Sequence, residues 1–359
     1  MNHCTRGHGN VHAAVDLACQ QAKNGDRVVY MSEGGNFEPL LAEAGVEHRY
    51  LKQNIRKPLP AAAAQVKLIR EMRAFRPDVV HAHMMSGAVL GYVATRLTGT
   101  PLVTTIHNSF DSHSQLMKLG DLVVAVSSAE RDALIKRGFD PKRTIAIANA
   151  PLGGHRLEQC RHDPTLDLPR PSITTVCGLH VRKGVADLVN AFGLVAGRFP
   201  DAHLNIVGAG PDRPMLEELS RTLQLTERIT FHGVLHNPFV VLRATDIFVL
   251  ASHREPLGLV NLEARSAGCA VIGTDVDGIP EALDFGRAGI VTPPHDPAAL
   301  AAALADLLGD PAKLARQKAA AGANLTPFSI DHFYEQYRSA YIRAPGKRGG
   351  QLKILMRSS

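Results

Sequence analysis

Short runs of apolar residues alternate along the chain with longer stretches in which apolar residues recur at helical spacing. Five runs in the first part predict buried strands: DRVVYMS (26–32), DVVHAH (78–83), LVTTIH (102–107), DLVVAVS (121–127) and TIAIAN (144–149). Six follow in the second part: SITTVCG (172–178), HLNIVGAG (203–210), RITFHG (228–233), IFVLAS (247–252), CAVIGT (269–274) and GIVTP (289–293). Helical spacing predicts helices between them, for example over 11–24, 60–75 and 214–223. This alternation is typical of an α/β fold with parallel sheets covered by helices on both faces.

The domains are predicted from the length of the chain and from one segment whose composition differs from that of its surroundings. With 359 residues it exceeds one typical core and suits two doubly wound domains. The segment PLGGHRLEQCRHDPTLDLPRPS is rich in Pro, Gly and charge, which predicts a linker. We expect a first domain over 1–153, a linker over 154–170, a second domain over 171–326, a helix over 327–345 that packs back onto the first domain, and a loose basic tail over 346–359. The chain opens with a glycine-bearing loop and a helix, so the first strand of this domain is expected to be missing.

Composition and charge narrow the function classes. The net charge of +6 favours an anionic partner: nucleic acid, a phosphorylated small molecule or an acidic membrane face. Trp is absent and aromatic residues are few, which argues against a sugar-binding module built on aromatic platforms. The 5 cysteines have no CxxC spacing, which predicts a reducing compartment without disulfides or a zinc site. Neither a signal peptide nor an apolar run of about 18 residues is visible. We therefore expect a cytoplasmic protein, with the inner membrane face as a place of peripheral contact.

One stretch, REPLGLVNLEARSAGCAVIG (254–273), carries two glutamates eight positions apart, Glu255 and Glu263. Helical spacing begins at Gly258, so the backbone N–H groups of Gly258 and Leu259 are expected to attract phosphate. Glu263, about one turn into the helix, can accept two hydrogen bonds from a ribose diol. Glu255 can bind hydroxyls of a sugar beyond the phosphate. The alternative is a capped surface helix with Glu263 as a first-turn acid.

Two glycine-bearing loops follow predicted strands in the second part. After Gly178, the cations Arg182 and Lys183 precede a helix, which suits a pyrophosphate clamp; the alternative is a solvated basic turn. Gly208 lies in NIVGAGPDR, half of a dinucleotide fingerprint. Because a proline follows, the loop is interpreted as a plain strand–turn–helix connection. The second interpretation is that the backbone of this loop lies near a ligand.

Polar residues at other strand ends are candidates for a metal or substrate site. The sequence DVD (275–277) in GTDVDGIPE resembles a metal–diphosphate signature, but its glycine-rich context favours a turn. His81 and His83 share one face of a strand without an obvious third ligand, so no metal is expected there. His107 either bonds a substrate hydroxyl or is an ordinary polar residue at a strand end.

Gly7 and Gly9, in TRGHGNVHAA, suit a loop that approaches a ligand closely. The alternative is a disordered amino terminus.

Together and in this order, these motifs resemble the retaining, GT-B-fold glycosyltransferases of family 4. The resemblance is strongest from Ser172 to about Pro294, in GLHVRKG, LNIVGAGP, ITFHGVL, GIVTPPHDPAAL and, most specifically, SHREPLGLVNLEA. The glutamates there have the spacing E-x7-E. In the first part GHGNVHAAVDLA, RPDVVHAH, TTIHNSF, AVSSAE and AIANA match in outline.

The resemblance implies two Rossmann-like domains facing across a cleft and a nucleotide-sugar donor used as substrate, without a metal or other cofactor. Residues implied at the reacting sugar and its diphosphate are Glu255, His107 and Lys183. Residues implied in donor binding are Glu263, Arg182, Gly258, Leu259, Gly7, Gly9, Gly178 and Gly208. The implied partners are a nucleotide sugar and a glycan or lipid-linked acceptor, with no nucleic acid.

The sequence departs from the family pattern at two further points. Leu179 stands where an arginine is usual, in a loop one residue shorter, and Asn149-Ala150 replaces Asn-Gly. We expect transfer of a hexosyl unit from a nucleotide sugar, with UDP as the expected nucleotide, in the synthesis of cell-envelope or extracellular glycans. Two alternatives share the donor: a nucleotide-sugar 2-epimerase and a non-catalytic nucleotide-sugar-binding relative. Nucleic-acid binding is suggested by the isoelectric point alone, and basic and aromatic residues do not interleave.

Overall fold

A computed structural model describes residues 9–55, 57–160 and 162–345, and the chain separates into two compact units. The first unit comprises residues up to Arg156 together with those from Ser329 onward, and the second is Leu157–Phe328. Gly7 and the predicted tail lie outside the described residues. So does the start of the chain, where a first strand was predicted to be missing.

The elements of the first part, in chain order, are α1 (Gly9–Lys23), β1 (Val29–Ser32), α2 (Glu38–Glu43), β2 (Glu47–Tyr50), α3 (Pro58–Phe75), β3 (Val80–Ala82), α4 (Met85–Thr98), β4 (Leu102–Ile106), β5 (Leu122–Ala125), α5 (Ser128–Lys136), β6 (Thr144–Ala146) and α6 (His155–Gln159). Strands β1 and β2 form a parallel pair, and β3-β4-β5-β6 form a second parallel sheet. Strands β4 and β5 are buried along their whole length. The run LVVA of β5 is apolar throughout, whereas β4 also contains the fully buried Thr104 and Thr105.

Strand β2 was not predicted from the sequence. Its residues, EHRY, include no apolar run, because the strand pairs with β1 alone and each of its positions is exposed or half-buried.

The remaining elements are β7 (Ser172–Val176), α7 (Val185–Ala196), β8 (His203–Val207), α8 (Arg213–Thr222), β9 (Ile229–Gly233), α9 (Phe239–Leu242), β10 (Ile247–Leu250), α10 (Leu259–Ser266), β11 (Ala270–Thr274), α11 (Ile279–Ala282), β12 (Ile290–Thr292), α12 (Pro297–Gly309), α13 (Pro311–Gly322) and α14 (Ile330–Arg343). The last helix belongs to the first unit. There Phe333 and Tyr337 are buried, and Gln20 of α1 donates a 2.6 Å hydrogen bond to Asp331.

The second unit is built on six parallel strands in the order β12-β11-β10-β7-β8-β9. Numbered within the unit, this order reads 6-5-4-1-2-3, the doubly wound arrangement of nucleotide-binding folds. The strand order reverses between β7 and β10, which pair directly. Ligands of such sheets bind where the order reverses, at the carboxyl ends of the strands. The predicted α/β class, with parallel sheets in two Rossmann-like domains, is confirmed.

Apolar cores cover both faces of this sheet. One includes Phe192 of α7 and Leu304 of α12, and the other includes Leu242 of α9 and Ala264 of α10. Within the described ranges, no helix combines the length and apolarity that crossing a membrane requires.

A fully buried arginine in α10 joins this core to the end of α13. The Arg265 guanidinium donates to the carbonyl oxygens of Ala321, Ala282 and Ala323 at 2.9, 2.6 and 2.8 Å. Burial lowers its pKa, and the three carbonyls give the cation the partners that its burial demands.

Candidate active site

Two loops meet where the strand order reverses: residues 177–184 after β7 and residues 251–258 after β10. At Gly184 the backbone has φ +62°, and a Cβ would lie 1.9 Å from the carbonyl oxygen of Ala251. A glycine is therefore required for the loops to approach this closely. The His253 N–H donates a 2.8 Å hydrogen bond to the Arg182 carbonyl, which joins the two loops directly.

The side chains of Lys183 and Glu255 form an ion pair across these loops. The ammonium donates to Glu255 Oε2, and the two side chains are only 13% and 12% exposed. Two charges held largely out of water need each other or a ligand with matching groups. A nucleotide-diphosphate sugar carries both kinds of group, a diphosphate for the ammonium and hydroxyls for the carboxylate.

A third loop, after β11, fixes the backbone of Glu255. Its N–H donates a 2.8 Å bond to Asp277 Oδ2, and its carbonyl accepts one of 3.1 Å from the Gly278 N–H. A Cβ on Gly278 would lie 2.0 Å from the carbonyl oxygen of Pro256. Asp277 has φ +44°, and Asp275 is exposed. The sequence GTDVDGIPE therefore forms a turn, as its glycine-rich context predicted, and Asp277 in this turn positions Glu255.

Helix α10 begins at Leu259, after Gly258 with φ +80°, and no side chain caps its first turn. The alternative of a surface helix with Glu263 as a first-turn acid is wrong, because Glu263 is only 6% exposed and lies beyond the first turn. An uncapped helix start beside an ammonium group provides N–H donors and positive potential for phosphate.

Asn261, in the first turn of α10, was not among the predicted site residues. This residue is fully buried, and neither polar atom of its amide has a hydrogen-bond partner in the described structure. A buried amide without a partner is costly, so the arrangement suits a ligand that supplies one. The sequence shows only a polar side chain within the otherwise apolar start of LVNLEARS, which does not reveal the state of its amide.

The loops after β7 and β8 also pack closely. Gly208 has φ +134°, and its Cβ would lie 1.8 Å from the Cys177 carbonyl oxygen. At Gly178, a Cβ would lie 3.0 Å from the His180 ring. Both glycines therefore contribute to the shape of the loops, whatever they contact in a complex.

The position of the usual arginine is filled by apolar packing. Leu179 is fully buried in the core, and its carbonyl accepts a 3.1 Å bond from the Asp212 N–H. Besides Lys183, this loop carries Arg182, which is exposed and whose guanidinium donates a 3.3 Å bond to the Arg254 carbonyl.

The first unit places His107 at the end of β4, within a group of histidines. His83 Nδ1 and His107 Nε2 lie 3.1 Å apart, and the His81 and His83 rings lie 3.9 Å apart between centroids. His81 bonds the Tyr341 hydroxyl at 2.8 Å and the Thr105 hydroxyl at 2.7 Å. The helix α14 thus supports the histidines from one side.

Burial keeps these imidazoles neutral. It lowers the pKa of His107 to about 3 and the pKa values of His81 and His83 well below their ordinary range. His107 Nδ1 is buried without a hydrogen-bond partner among the described residues. A neutral imidazole with one unsatisfied nitrogen is suited to bond a substrate hydroxyl.

The remaining predicted residue in this unit is Gly9. It opens α1 and is exposed. The next residue, Asn10, donates a 3.1 Å contact to the Met84 sulfur, next to β3.

The predicted site residues thus fall into two groups. The cations, the glutamates, Leu259 and the remaining glycines lie in the second unit, and Lys183 and Glu255 pair at the reversal of its strand order. His107 and Gly9 belong to the first unit.

Comparison with known proteins shows the family to which this chain is similar. Residues 170–310 match the profile of the glycosyl transferases group 1, and residues 9–150 match that of glycosyltransferase family 4. The chain is similar to alpha-maltose-1-phosphate synthase of Mycolicibacterium smegmatis, with 31% identity over 79% of this chain and 83% of the relative. It is also similar to glycogen synthase of Mycobacterium tuberculosis, with 31% identity over 80% and 73%.

Solved structures of low identity share the fold. HepE of Anabaena, in complex with UDP, has a TM-score of 0.79 at 20% identity, covering 94% of this chain and 97% of its own. Sucrose-phosphate synthase of Thermosynechococcus elongatus has a TM-score of 0.75 at 20% identity, covering 94% of both chains.

Proposed function

The chain belongs to the group 1 glycosyltransferases, also called family 4, and we propose that it moves a hexosyl unit from a nucleotide-diphosphate sugar to an acceptor hydroxyl with retained configuration. The observation that carries the proposal is the Lys183–Glu255 ion pair, held where the strand order reverses. A donor with both an anionic leaving group and free hydroxyls matches both members of the pair.

In the proposed reaction, the bond between the anomeric carbon and the diphosphate oxygen breaks, and its electron pair leaves with the diphosphate. The developing charge is stabilised by Lys183, with help from Arg182, and by the backbone N–H groups of Gly258 and Leu259. A new bond from the acceptor oxygen forms on the face that the leaving group vacates, and the acceptor proton passes to a phosphate oxygen. This scheme uses no metal ion in the chemical step.

The other residues orient the donor in this proposal. Glu255 binds the sugar hydroxyls, and Glu263 accepts hydrogen bonds from the ribose diol. The unsatisfied amide of Asn261 bonds the donor beside them. His107 Nδ1 either accepts a hydrogen bond from a hydroxyl of the transferred sugar or donates one to it.

We propose UDP as the nucleotide. Structures of HepE of Anabaena with UDP and with UDP-glucose support this choice through the shared fold. We propose a glycan or lipid-linked acceptor used in the cytoplasm, at the inner face of a membrane, in cell-envelope or extracellular glycan synthesis. Exposed cations in two parts of the first unit, Lys52 with Lys57 and Lys142 with Arg143, support contact with an anionic surface.

The donor proposal is tested by ligand-observed NMR with a panel of nucleotide sugars, using the wild type, Glu255→Gln and Lys183→Ala. Binding of one donor that both substitutions weaken would support the site, and Lys142→Ala, a lysine exposed on the first unit, serves as the control. A wild type that binds no nucleotide sugar, or variants that bind as well as the wild type, would contradict the proposal.

A second candidate function, donor binding without catalysis, is favoured by the buried Leu179 in place of the usual arginine. Release of UDP from the bound donor, measured with and without a panel of acceptor glycans, separates the possibilities. Acceptor-dependent release supports transfer, and binding without any release supports the non-catalytic relative. Acceptor-independent release with a changed sugar identifies a 2-epimerase.

A further inference from the structure

Three elements of the second unit bring two imidazoles and a carboxylate together outside the residues assigned above. Asp187 lies in the first turn of α7, His253 follows β10, and His295 follows β12. His253 Nε2 and Asp187 Oδ2 are 2.7 Å apart, and the His253 and His295 ring centroids are 3.6 Å apart. One potential ligand atom from each of the three residues lies within 4.8 Å of the others. In the part of the chain that the structure describes, no other such group of His, Cys, Asp and Glu comes this close.

The chemistry of the three side chains selects a kind of ion. Imidazole nitrogens suit first-row transition metals such as Zn²⁺, whereas Mg²⁺ and Ca²⁺ prefer sets of oxygen ligands. Zinc binds nitrogen and carboxylate oxygen at about 2.0–2.2 Å, so two ligand atoms on one ion lie at most roughly 4 Å apart. Asp187 Oδ2 and His253 Nε2, 2.7 Å apart in a hydrogen bond, lie within this limit and separate slightly when both bind the ion. His295 is exposed, so its ring is free to turn from its stacked position on His253 and bring the third ligand into range.

The backbone at His295 supplies a second observation. This residue has φ +56°, in the left-handed region that non-glycine residues rarely adopt. Such strained positions are concentrated at ligand clamps and active sites. Here the strained backbone directs the His295 ring onto the ring of His253, with 30° between the ring planes.

We propose that Asp187, His253 and His295 bind one divalent transition-metal ion of the Zn²⁺ class, with the open coordination position filled by water. The ion would join α7 to the loops after β10 and β12. Because the His253 N–H also bonds the Arg182 carbonyl, the bound ion braces the two loops that carry Lys183 and Glu255. The ion stabilises this part of the second unit and takes no part in the transfer step.

The test uses the full chain, freed of metal with a chelator and titrated with Co²⁺, whose visible absorption reports its coordination. The wild type should bind one equivalent and develop the absorption bands of a low-coordinate Co²⁺ site with nitrogen ligands. His295→Ala and Asp187→Asn should each weaken Co²⁺ binding by more than 10- to 100-fold, roughly the loss seen when an outer-shell partner alone is removed.

The control is His332→Ala, an exposed histidine on α14, which should bind Co²⁺ like the wild type. Zn²⁺ should raise the melting temperature of the wild type and of this control but not that of His295→Ala. No uptake by the wild type, or equal Co²⁺ affinity in all four chains, would overturn the proposal. Because no nucleotide sugar is used, the result does not depend on the proposed transferase activity.

Discussion

Replacing Lys183 by alanine separates the structural role of this residue from its proposed role in transfer. The substitution leaves the Glu255 carboxylate, 12% exposed in the wild type, without its ammonium partner. Removing one member of a buried pair typically costs 3–5 kcal/mol. Because the Glu255 N–H and carbonyl keep their bonds to the loop after β11, we expect about 3 kcal/mol, the lower end of that range.

Lys183→Ala also removes positive charge from the proposed leaving group. Loss of one preorganised donor to a developing anion typically lowers the rate by about 10²–10³. For UDP binding, loss of a hydrogen bond to a charged group, about 1.5–3 kcal/mol, predicts roughly 10- to 100-fold weaker affinity.

The double variant Lys183→Ala/Glu255→Gln distinguishes the two effects. A neutral amide needs no counter-ion, so the double variant should regain most of the stability lost by Lys183→Ala. It should not regain UDP affinity, because the cation is still missing.

Stability is measured by urea unfolding at pH 7.5 and UDP affinity by calorimetry, with Lys142→Ala as the exposed-lysine control. Wild-type stability in Lys183→Ala would refute the description of the pair as buried and mutually dependent. Recovery of UDP affinity in the double variant would refute the assignment of Lys183 to the diphosphate.

Three further predictions concern backbone packing, titration and a buried cation. Gly184→Ala should destabilise the chain by more than about 1 kcal/mol and weaken UDP binding, because its Cβ would lie 1.9 Å from the Ala251 carbonyl oxygen; urea unfolding and calorimetry measure both. The folded-state pKa of His107, about 3, lies below its unfolded value of about 6.5, so its stabilising effect is complete above pH 6.5 and is lost as the pH falls toward 3. Through His107 alone, the free energy of unfolding should fall by about 2 kcal/mol between pH 7.5 and pH 5, and a His107→Gln variant with the same pH slope would contradict this. Arg265→Met should cost at least about 3 kcal/mol, because three buried carbonyls lose their donor. Arg287 is exposed, so Arg287→Ala should change the free energy of unfolding by less than about 0.5 kcal/mol. If thermal unfolding showed equal effects for the two substitutions, the three buried carbonyls would not explain the cost of Arg265→Met.

Local patterns in the sequence were sufficient to predict most strands and much of the candidate site. Runs such as LVVA and IFVL are apolar throughout because strands buried on both faces favour apolar side chains. Strand β2 was not predicted because its residues are exposed or half-buried, so burial did not require apolar side chains there. Asn261 was missed because a single polar residue in a helix gives no sign of whether its amide finds a partner.

What the sequence determined by itself was therefore the α/β class, the helix start at Gly258 and the placement of Arg182, Lys183 and Glu255 in loops after strands. These features depend on neighbours within a few residues, through hydrogen-bonding geometry and side-chain period.

Only the tertiary structure decided which of those loops meet. Lys183 and Glu255 are 72 positions apart, and they pair because β7 lies beside β10 in the sheet. The Asp187–His253 contact arises from the same adjacency, across 66 positions, and Tyr341 reaches His81 across 260 positions through the return of α14. The physical reason is that strand order and helix docking depend on burying whole apolar faces together, a property of the assembled core that no short stretch of sequence contains.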